Sequence, residues 1–142
     1  MVDLLDKDLI SLLQQDANQT SEKLAEQLSV SPSTVRRRMS ELIKHGVVRI
    51  VAIPEPAQIG LPLIAIVAFQ IFHEKINSFL QALSSRNDVK CLYVTSGRFD
   101  VMALMWFSSA EQLYSFMESE VGKLEGVKAT ETFVCLHVEK SF

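Results

Sequence analysis

Hydrophobic residues recur at intervals of three and four along residues 4–43, which is the spacing of one face of an α-helix. Three such stripes occur, and each predicts a short amphipathic helix. The stripes are Leu5, Leu9, Leu12 and Leu13; Leu24, Ala25 and Leu28; and Val35, Met39, Leu42 and Ile43. Three short helices in close succession predict a helix-turn-helix arrangement.

Polar residues and a glycine set the predicted ends of these helices. Thr20 and Ser21 can cap the second helix, and Ser31 is a predicted N-cap followed by Pro32, whose missing N–H costs nothing at the first helical position. Gly46 is predicted to end the third helix in the left-handed conformation. The next segment, VVRIVAI, is strand-like, and we interpret it as a wing or linker strand.

The second half of the chain consists of apolar runs separated by two helical stretches. The segments LPLIAIVAFQIF, INSFLQALSS, VKCLYVTSG, DVMALMWFS, AEQLYSFMESEVGKL and ATETFVCLHVEK are interpreted as strand, helix, strand, strand, helix and strand. This βαββαβ order is typical of a ferredoxin-like antiparallel sheet with both helices on one face, so the predicted fold class is α+β. Gly126 and Val127 are predicted to end the second of these helices, and Gly97 to supply a positive φ in the turn Gly97–Asp100.

These elements predict two domains joined by a short connection. The helix-turn-helix domain with its wing or linker strand is expected at residues 1–53, a linker at 54–60 and the ferredoxin-like domain at 61–142. The linker contains Pro54-Glu55-Pro56, which is expected to hold the two halves apart.

The predicted sheet is apolar on both faces, although an antiparallel sheet covered on one side normally has a polar second face. In the first strand Ile64, Ile66 and Ala68 alternate with Leu63, Val67 and Phe69, and in the DVMALMWFS strand Val101, Ala103 and Met105 alternate with Met102, Leu104 and Trp106. So large an apolar surface is unusual for a monomer and predicts a homodimer with two sheets packed face to face. The alternative is a sheet sheltered by the protein's own N-terminal helices.

Composition narrows the class of protein. The chain has 142 residues, of which 48% are hydrophobic and 22% charged, and this balance argues against disorder. The acidic start and the longest apolar run of 12 residues favour neither a signal peptide nor a membrane span, so we expect a soluble cytoplasmic protein. Cys91 and Cys135 lack metal-site spacing, and the predicted topology puts them at opposite sheet edges, too far apart for a disulfide.

Positive charge is concentrated around the third helix, although the formal net charge is −3. Residues 31–53 carry five basic residues against one acid, whereas residues 1–30 carry two against six. On a helical wheel Arg37 lies nearly opposite the apolar stripe, and Arg36 and Arg38 lie on its two flanks. A helix in the DNA major groove has phosphates on both sides and base edges ahead, so it can use cations at all three angles.

The predicted DNA contacts follow from this face. They are Ser31, Ser33, Thr34, Arg36, Arg37, Arg38, Ser40 and Lys44. Arg38 also has a structural alternative, in which its stem packs on the helix bundle. A two-fold dimer would present two third helices, so the expected partner is double-stranded DNA with a roughly palindromic operator.

The run LAEQLSVSPSTVRRRMSELIKHGVVRIVAIPEPAQIG resembles the DNA-binding half of the Lrp/AsnC, or feast/famine, regulators, and the similarity extends through the rest of the chain. The resemblance implies a transcriptional regulator whose second domain, often called a RAM domain, binds an amino acid between dimers of a larger, often octameric, assembly. The family's glycine-x-x-aspartate motif corresponds to Gly97 through Asp100, and a second segment to the start of the last strand. The implied effector residues are Ser96, Gly97, Arg98, Phe99, Asp100, Thr130, Glu131 and Thr132.

Other interpretations stay open at this stage. The residues Gly97 to Asp100 can be a plain turn, and the threonines plain strand formers. His45, His73 and His137 fall on separate elements, and neither a catalytic triad nor a cofactor motif is recognisable, so no cofactor is predicted. Some proteins with this layout resemble siroheme decarboxylases, which a bound-haem spectrum would reveal. A partner-binding adaptor would lack salt-sensitive DNA affinity.

Overall fold

The computed structural model describes residues 1–141, in which the chain forms two compact units, Met1–Ala52 and the part from Ile53 onward. The first unit contains helices α1 (Leu4–Gln15), α2 (Ser21–Leu28) and α3 (Pro32–Lys44). Their shared core is formed by Leu9, Leu13, Leu24, Ala25, Val35 and Leu42. The three predicted helices are therefore confirmed, because the apolar stripes meet in one core.

Each helix of the first unit begins at a side-chain cap. Asp3 caps α1, Thr20 accepts the backbone N–H of Lys23, and Ser31 accepts that of Thr34 at 3.2 Å. These bonds satisfy backbone donors that the first turn of a helix leaves free. The other predicted ends also hold, since Pro32 occupies the first turn of α3 and Gly46 has φ +69°.

The predicted wing strand is not formed. Residues 45–62, all of which the structure describes, contain no strand, and only a single 3₁₀ turn at Pro56–Ile59. The backbone N–H groups of Val47 and Val48 both bond the Leu42 carbonyl, which closes the end of α3. The following residues are exposed. A β-prone segment becomes a strand only when a neighbouring strand pairs with it, and VVRIVAI has no such partner within its own unit.

The second unit is a four-stranded antiparallel sheet with helices on one face, which confirms the α+β prediction. The elements are β1 (Leu63–Ile71), α4 (Ile76–Ser84), β2 (Val89–Val94), β3 (Val101–Phe107), α5 (Ala110–Ser115) and β4 (Val127–Val134). The strand order is β2-β3-β1-β4. Cys91 in β2 and Cys135 just beyond β4 therefore lie at opposite edges, as the predicted topology requires.

Two predicted boundaries need correction. The last strand, predicted as ATETFVCLHVEK, begins at Val127 and ends at Val134. Its pairing with β1 ends at the Ala65–Val134 pair and one further hydrogen bond, from the Cys135 N–H to the Ile64 carbonyl. The helix predicted through Leu124 is regular only to Ser115 and continues as a π-helical turn and a 3₁₀ turn to Lys123.

The core of the second unit lies between the sheet and its two helices. Phe69 of β1 meets Phe79 of α4 edge to face at 4.9 Å between ring centroids, and Phe107 of β3 lies 5.8 Å from Phe116. The alternation of strand side chains sends every second residue to this core. The opposite, open face is formed by Ile64, Ile66, Ala68, Cys91, Tyr93, Met102, Leu104, Trp106 and Phe133.

Gly126 joins the helical segment to β4 under tight steric conditions. Its φ is +90°, and an added Cβ would lie 2.3 Å from Cβ of Lys75. The Gly126 carbonyl also accepts the backbone N–H of Phe72 at 2.8 Å, so the two segments cannot easily separate.

We therefore expect Gly126→Ala to lower the free energy of unfolding by about 2–3 kcal/mol, because it combines an unfavourable backbone conformation with a steric clash. Urea denaturation followed by circular dichroism measures the change. Gly122→Ala is the matched control, since an added Cβ at Gly122 meets no atom within 4 Å. Equal stability of the two variants would contradict the prediction.

Candidate functional site

The predicted DNA-contacting residues lie on the side of α3 that faces away from its core. Val35 and Leu42 are buried, whereas Arg36 and Arg37 are exposed. Of the other predicted contacts, Ser31, Ser33, Ser40 and Lys44 are exposed, and Thr34 and Arg38 are half-buried. The residues predicted from the sequence to contact DNA therefore share one outward surface of α3, and Arg37 lies at its centre.

Three hydroxyl groups cluster at the N-terminus of α3. The Ser31 hydroxyl lies 2.9 Å from that of Ser33 and 2.8 Å from that of Thr34. Ser31 caps the helix at the same time, so its orientation is fixed. Hydroxyl groups held at a helix N-terminus are suited to bind phosphate oxygens.

The three arginines of α3 have different surroundings. Arg36 pairs with Glu22 of α2 at 3.3 Å, but both side chains are more than half exposed, and such pairs contribute little. Arg37 forms no ion pair with any residue that the structure describes. The hydrogen-bonding capacity of the Arg37 guanidinium is thus free for a ligand.

Arg38 is held within the fold by the N-terminus of α1. Its Nη1 atom lies 2.7 Å from Oδ2 of Asp3 and 3.2 Å from Oδ1 of Asp6. The two aspartates also bond each other's backbone N–H groups in a capping box. The pKa of Asp3 is lowered by the hydrogen bond from the backbone N–H of Asp6. Partial desolvation acts in the opposite direction, and the Arg38 guanidinium lowers the pKa further. This geometry favours the structural alternative for Arg38, and the acids that hold it were not among the sequence-predicted site residues.

Asp6 is the buried member of this cluster, at 5% exposure. We expect Asp6→Ala to lower the free energy of unfolding by about 2 kcal/mol, because it removes one side of the capping box and leaves part of the Arg38 guanidinium without an acceptor. Thermal unfolding at pH 7 measures the loss. Asp8→Ala is the control, since Asp8 is exposed on the same helix. A loss as large in the control would show that general helix charge, rather than the cluster, is responsible.

The predicted effector residues lie at one end of the sheet. The β2–β3 connection meets the end of β1 and the start of β4, since Phe69 pairs with both Val101 and Thr130. Three hydrogen bonds brace the connection. Two lie within it, from the Thr95 hydroxyl to the Phe99 carbonyl at 2.6 Å and from the Thr95 N–H to the Asp100 carbonyl. The third comes from β1, where the Gln70 amide donates to the Arg98 carbonyl at 2.9 Å. Ser96, Gly97 and Arg98 are exposed on this loop, and Phe99 and Asp100 are half-buried.

Gly97 does not adopt the positive φ that the turn prediction gave it; the glycines with positive φ among the described residues are Gly46, Gly60 and Gly126. The connection is a six-residue loop between Val94 and Val101 rather than a tight hairpin turn, so no left-handed residue is needed at this point. A Cβ added at Gly97 would meet no described atom within 4 Å. The fold of this unit therefore leaves the space beside Gly97 open.

Asp100 is engaged by the backbone of β1. Its Oδ2 atom accepts the N–H of Ile71 at 2.8 Å, and its own N–H donates to the Phe69 carbonyl at 2.9 Å. The Ile71 N–H needs this acceptor because the β1–β4 register shifts between Gln70 and Ile71. The carboxylate therefore anchors the loop to the sheet, a role that no sequence spacing indicated.

Strand alternation divides the β4 residues between the two sheet faces. Glu131 is on the open face and pairs with Arg98 at 2.8 Å between Oε2 and Nη2. Thr130 and Thr132 are on the helix side, where the Thr132 hydroxyl lies 3.8 Å from the sulfur of Met117. The structure thus brings the loop and Glu131 together, while the two threonines are on the other side of the same edge strand. Gln70 contacts Arg98 and Met117 contacts Thr132, so both belong to the surroundings of the site. These contacts are long-range, and no local sequence motif predicts them.

No helix among the described residues has the length and apolar character needed to cross a bilayer.

Comparisons with known proteins agree with both halves of this arrangement. A family model described as winged helix-turn-helix DNA-binding matches residues 2–49, and one described as Lrp/AsnC ligand binding domain matches residues 64–142. An HTH-type transcriptional regulator of Pyrococcus furiosus is 31% identical over 141 residues, covering 99% of this chain and 95% of the relative. LrpA of Pyrococcus horikoshii is 29% identical over 128 residues, covering 89% and 91%.

Solved structures show the same fold. E. coli AsnC superposes with a TM-score of 0.88 at 22% identity, covering 100% of this chain and 97% of that one. A transcriptional regulator of Neisseria meningitidis in complex with L-Met gives 0.91 at 22% identity, covering 99% and 94%.

A helix-turn-helix unit joined to a ligand-binding sheet unit defines a DNA-binding transcriptional regulator with a small-molecule sensing domain. The relatives are named as regulators, which supports a regulator over the decarboxylase-like enzyme. The chain belongs to the Lrp/AsnC family, and the resemblance seen in the sequence is confirmed.

Proposed function

We propose that this protein is a sequence-specific transcriptional regulator that reads a roughly palindromic operator through α3 and responds to an amino acid. The observation that carries the DNA-binding part is the outward face of α3, where Arg37 is exposed opposite the buried Val35 and Leu42 and Arg36 is exposed on the flank. Because it would regulate transcription by binding DNA, we propose that it is located in the cytoplasm.

Within this proposal the functional unit is at least a homodimer formed by the open faces of two sheets. Leu104 and Ile66 are half-buried neighbours on that face, and Tyr93 and Phe133 are 56% and 45% exposed on it. Apolar side chains across both central strands are suited to pack against a second sheet about 10 Å away. Two copies related by a two-fold axis would present two α3 helices to two half-sites.

The proposed effector site is the end of the sheet around residues 96–100 and 130–132. Its support comes from the braced loop, the open space beside Gly97 and the charged groups of Arg98 and Glu131. The L-Met complex of the Neisseria meningitidis regulator adds support for an amino acid as the ligand class. Higher assembly, such as an octamer of four dimers, belongs to the same proposal.

Light scattering with and without each of the twenty amino acids tests assembly and sensing together. By light scattering we expect a dimer or a larger assembly in the absence of ligand. With at least one amino acid we expect a change in mass or a binding heat in isothermal titration calorimetry. Selection of operators from a random DNA library, followed by titration at two salt concentrations, tests the reading of DNA. A monomer that gives no heat with any amino acid and no selected sequence would refute the proposal.

A further inference from the structure

Glu41 is the one acidic residue within the basic stretch 31–53, which also carries five basic residues. Its side chain is 51% exposed. It follows Arg37 by four residues in α3, and on a helical wheel the two positions are about 40° apart, on the side opposite the buried Val35 and Leu42. A carboxylate on a helix face directed at DNA is repelled by the phosphates, so this position calls for a compensating contact.

The fold keeps Glu41 apart from Arg37. The Oε2 atom of Glu41 accepts a hydrogen bond from Nε2 of His45 at 3.1 Å, and Arg37 forms no ion pair with any residue of 1–141. Glu41 and His45 are both more than half exposed, so their contact contributes little and can be exchanged for another. The outward face of α3 therefore presents a hydrogen-bond donor group and an acceptor group side by side, rather than a closed ion pair.

These two groups suit different base edges in the major groove. A guanidinium only donates hydrogen bonds, and the N7 and O6 atoms of guanine only accept them. A carboxylate only accepts, and cytosine offers it the N4 amino group. Adenine also has an amino group, but its N7 acceptor lies beside it and repels a carboxylate. Cytosine is therefore the base whose edge suits Glu41.

We propose that Glu41 is a specificity-determining residue of α3, which accepts a hydrogen bond from N4 of a cytosine close to a guanine bound by Arg37. This inference rests on the proposed DNA-binding function and adds a residue to the face predicted from the sequence. Residues four apart are separated by about 6 Å along a helix, and base pairs by about 3.4 Å along DNA. A helix that follows the groove therefore places the cytosine within about two base pairs of the guanine in each half-site.

Glu41 contributes discrimination rather than affinity. Repulsion between its carboxylate and the phosphates weakens binding to every sequence, and the hydrogen bond to cytosine offsets this repulsion only at the matching site. At each of the other three bases the carboxylate meets an acceptor atom in the groove. Arg37 differs in this respect, since the phosphates attract a cation at any sequence and the guanine contact adds to that attraction.

Selection of operators from a random DNA library, followed by titration of single-base replacements, tests the assignment. For the wild-type protein we expect one cytosine in each half-site whose replacement by any other base weakens binding by about fivefold or more. Glu41→Ala should bind these four duplexes alike, retain its preference for guanine at the neighbouring position and bind unrelated DNA more tightly. Glu41→Gln should move the preference towards adenine, because an amide matches the N6 and N7 atoms of that base.

Glu26→Ala is the matched control, because it removes the same charge from an exposed position of α2 and should retain the preference for cytosine. Thermal unfolding checks the fold of each variant, and Glu41→Gln preserves the size of the side chain if the alanine variant is unstable. If Glu41→Ala strengthens binding to all duplexes equally and keeps every base preference, the carboxylate only repels DNA, so the inference is wrong and the DNA-binding function stands. A selected operator without such a cytosine would equally overturn the inference. If the wild-type protein selects no sequence, the DNA-binding function itself fails.

Discussion

Leu104→Glu is expected to convert the protein to a monomer and to weaken operator binding by about a hundredfold. Leu104 lies in the central strand β3 and pairs with Ile66 on the open face of the sheet. A two-fold interface would bury the new carboxylate twice, and a charge without a partner in an apolar interface is costly. A monomer also loses the second α3, and with it the gain of about 10²-fold or more that linked binding sites provide.

The measurements are light scattering of the free protein and titration of a palindromic operator. Gln81→Glu is the matched control, because it adds the same charge on an exposed position of α4, on the opposite side of the unit. Folding is checked by circular dichroism, since Leu104 points away from the core that contains its buried neighbour Met105. A Leu104→Glu protein that remains a dimer would show that the open sheet face is not the interface.

The fold was predictable from the sequence wherever a pattern has a local cause. Helical spacing and caps such as Ser31 with Pro32 gave the three helices, and the βαββαβ order gave the sheet topology. The wing strand was predicted wrongly because VVRIVAI has strand composition but no strand to pair with inside its unit. The end of β4 was misplaced for the same reason, since the length of β1 limits pairing and composition does not.

The exposure of the candidate residues was predictable from the sequence, whereas only part of their contacts was. The exposed Arg36 and Arg37 follow from the helical wheel, whereas the Asp3 and Asp6 partners of Arg38 depend on how α1 packs against α3. Long-range pairs cannot be inferred from spacing along one element. The same holds for Arg98 and Glu131, which are far apart in sequence and meet because β4 and the β2–β3 loop share one end of the sheet.

Arg37→Ala is expected to weaken binding to the preferred operator by about tenfold or more and to reduce discrimination between operator and unrelated DNA. The physical reason is that Arg37 lies opposite the buried stripe of α3 and has no ion pair with a described residue, so its guanidinium is free for base edges.

Arg36 lies on the flank, where phosphates are expected. Arg36→Ala should therefore weaken all sequences alike and lower the salt slope by about one.

Titrations of operator and non-operator duplexes over a range of salt concentrations separate these effects. Lys7→Ala is the control, because it removes an exposed cation of α1 outside the α3 face and should change neither quantity. Since Arg38 is bound to Asp3 and Asp6, its replacement should act mainly on stability, which distinguishes it from its two neighbours. Unchanged affinity, discrimination and salt dependence in Arg37→Ala would mean that another surface of the helix-turn-helix unit contacts DNA.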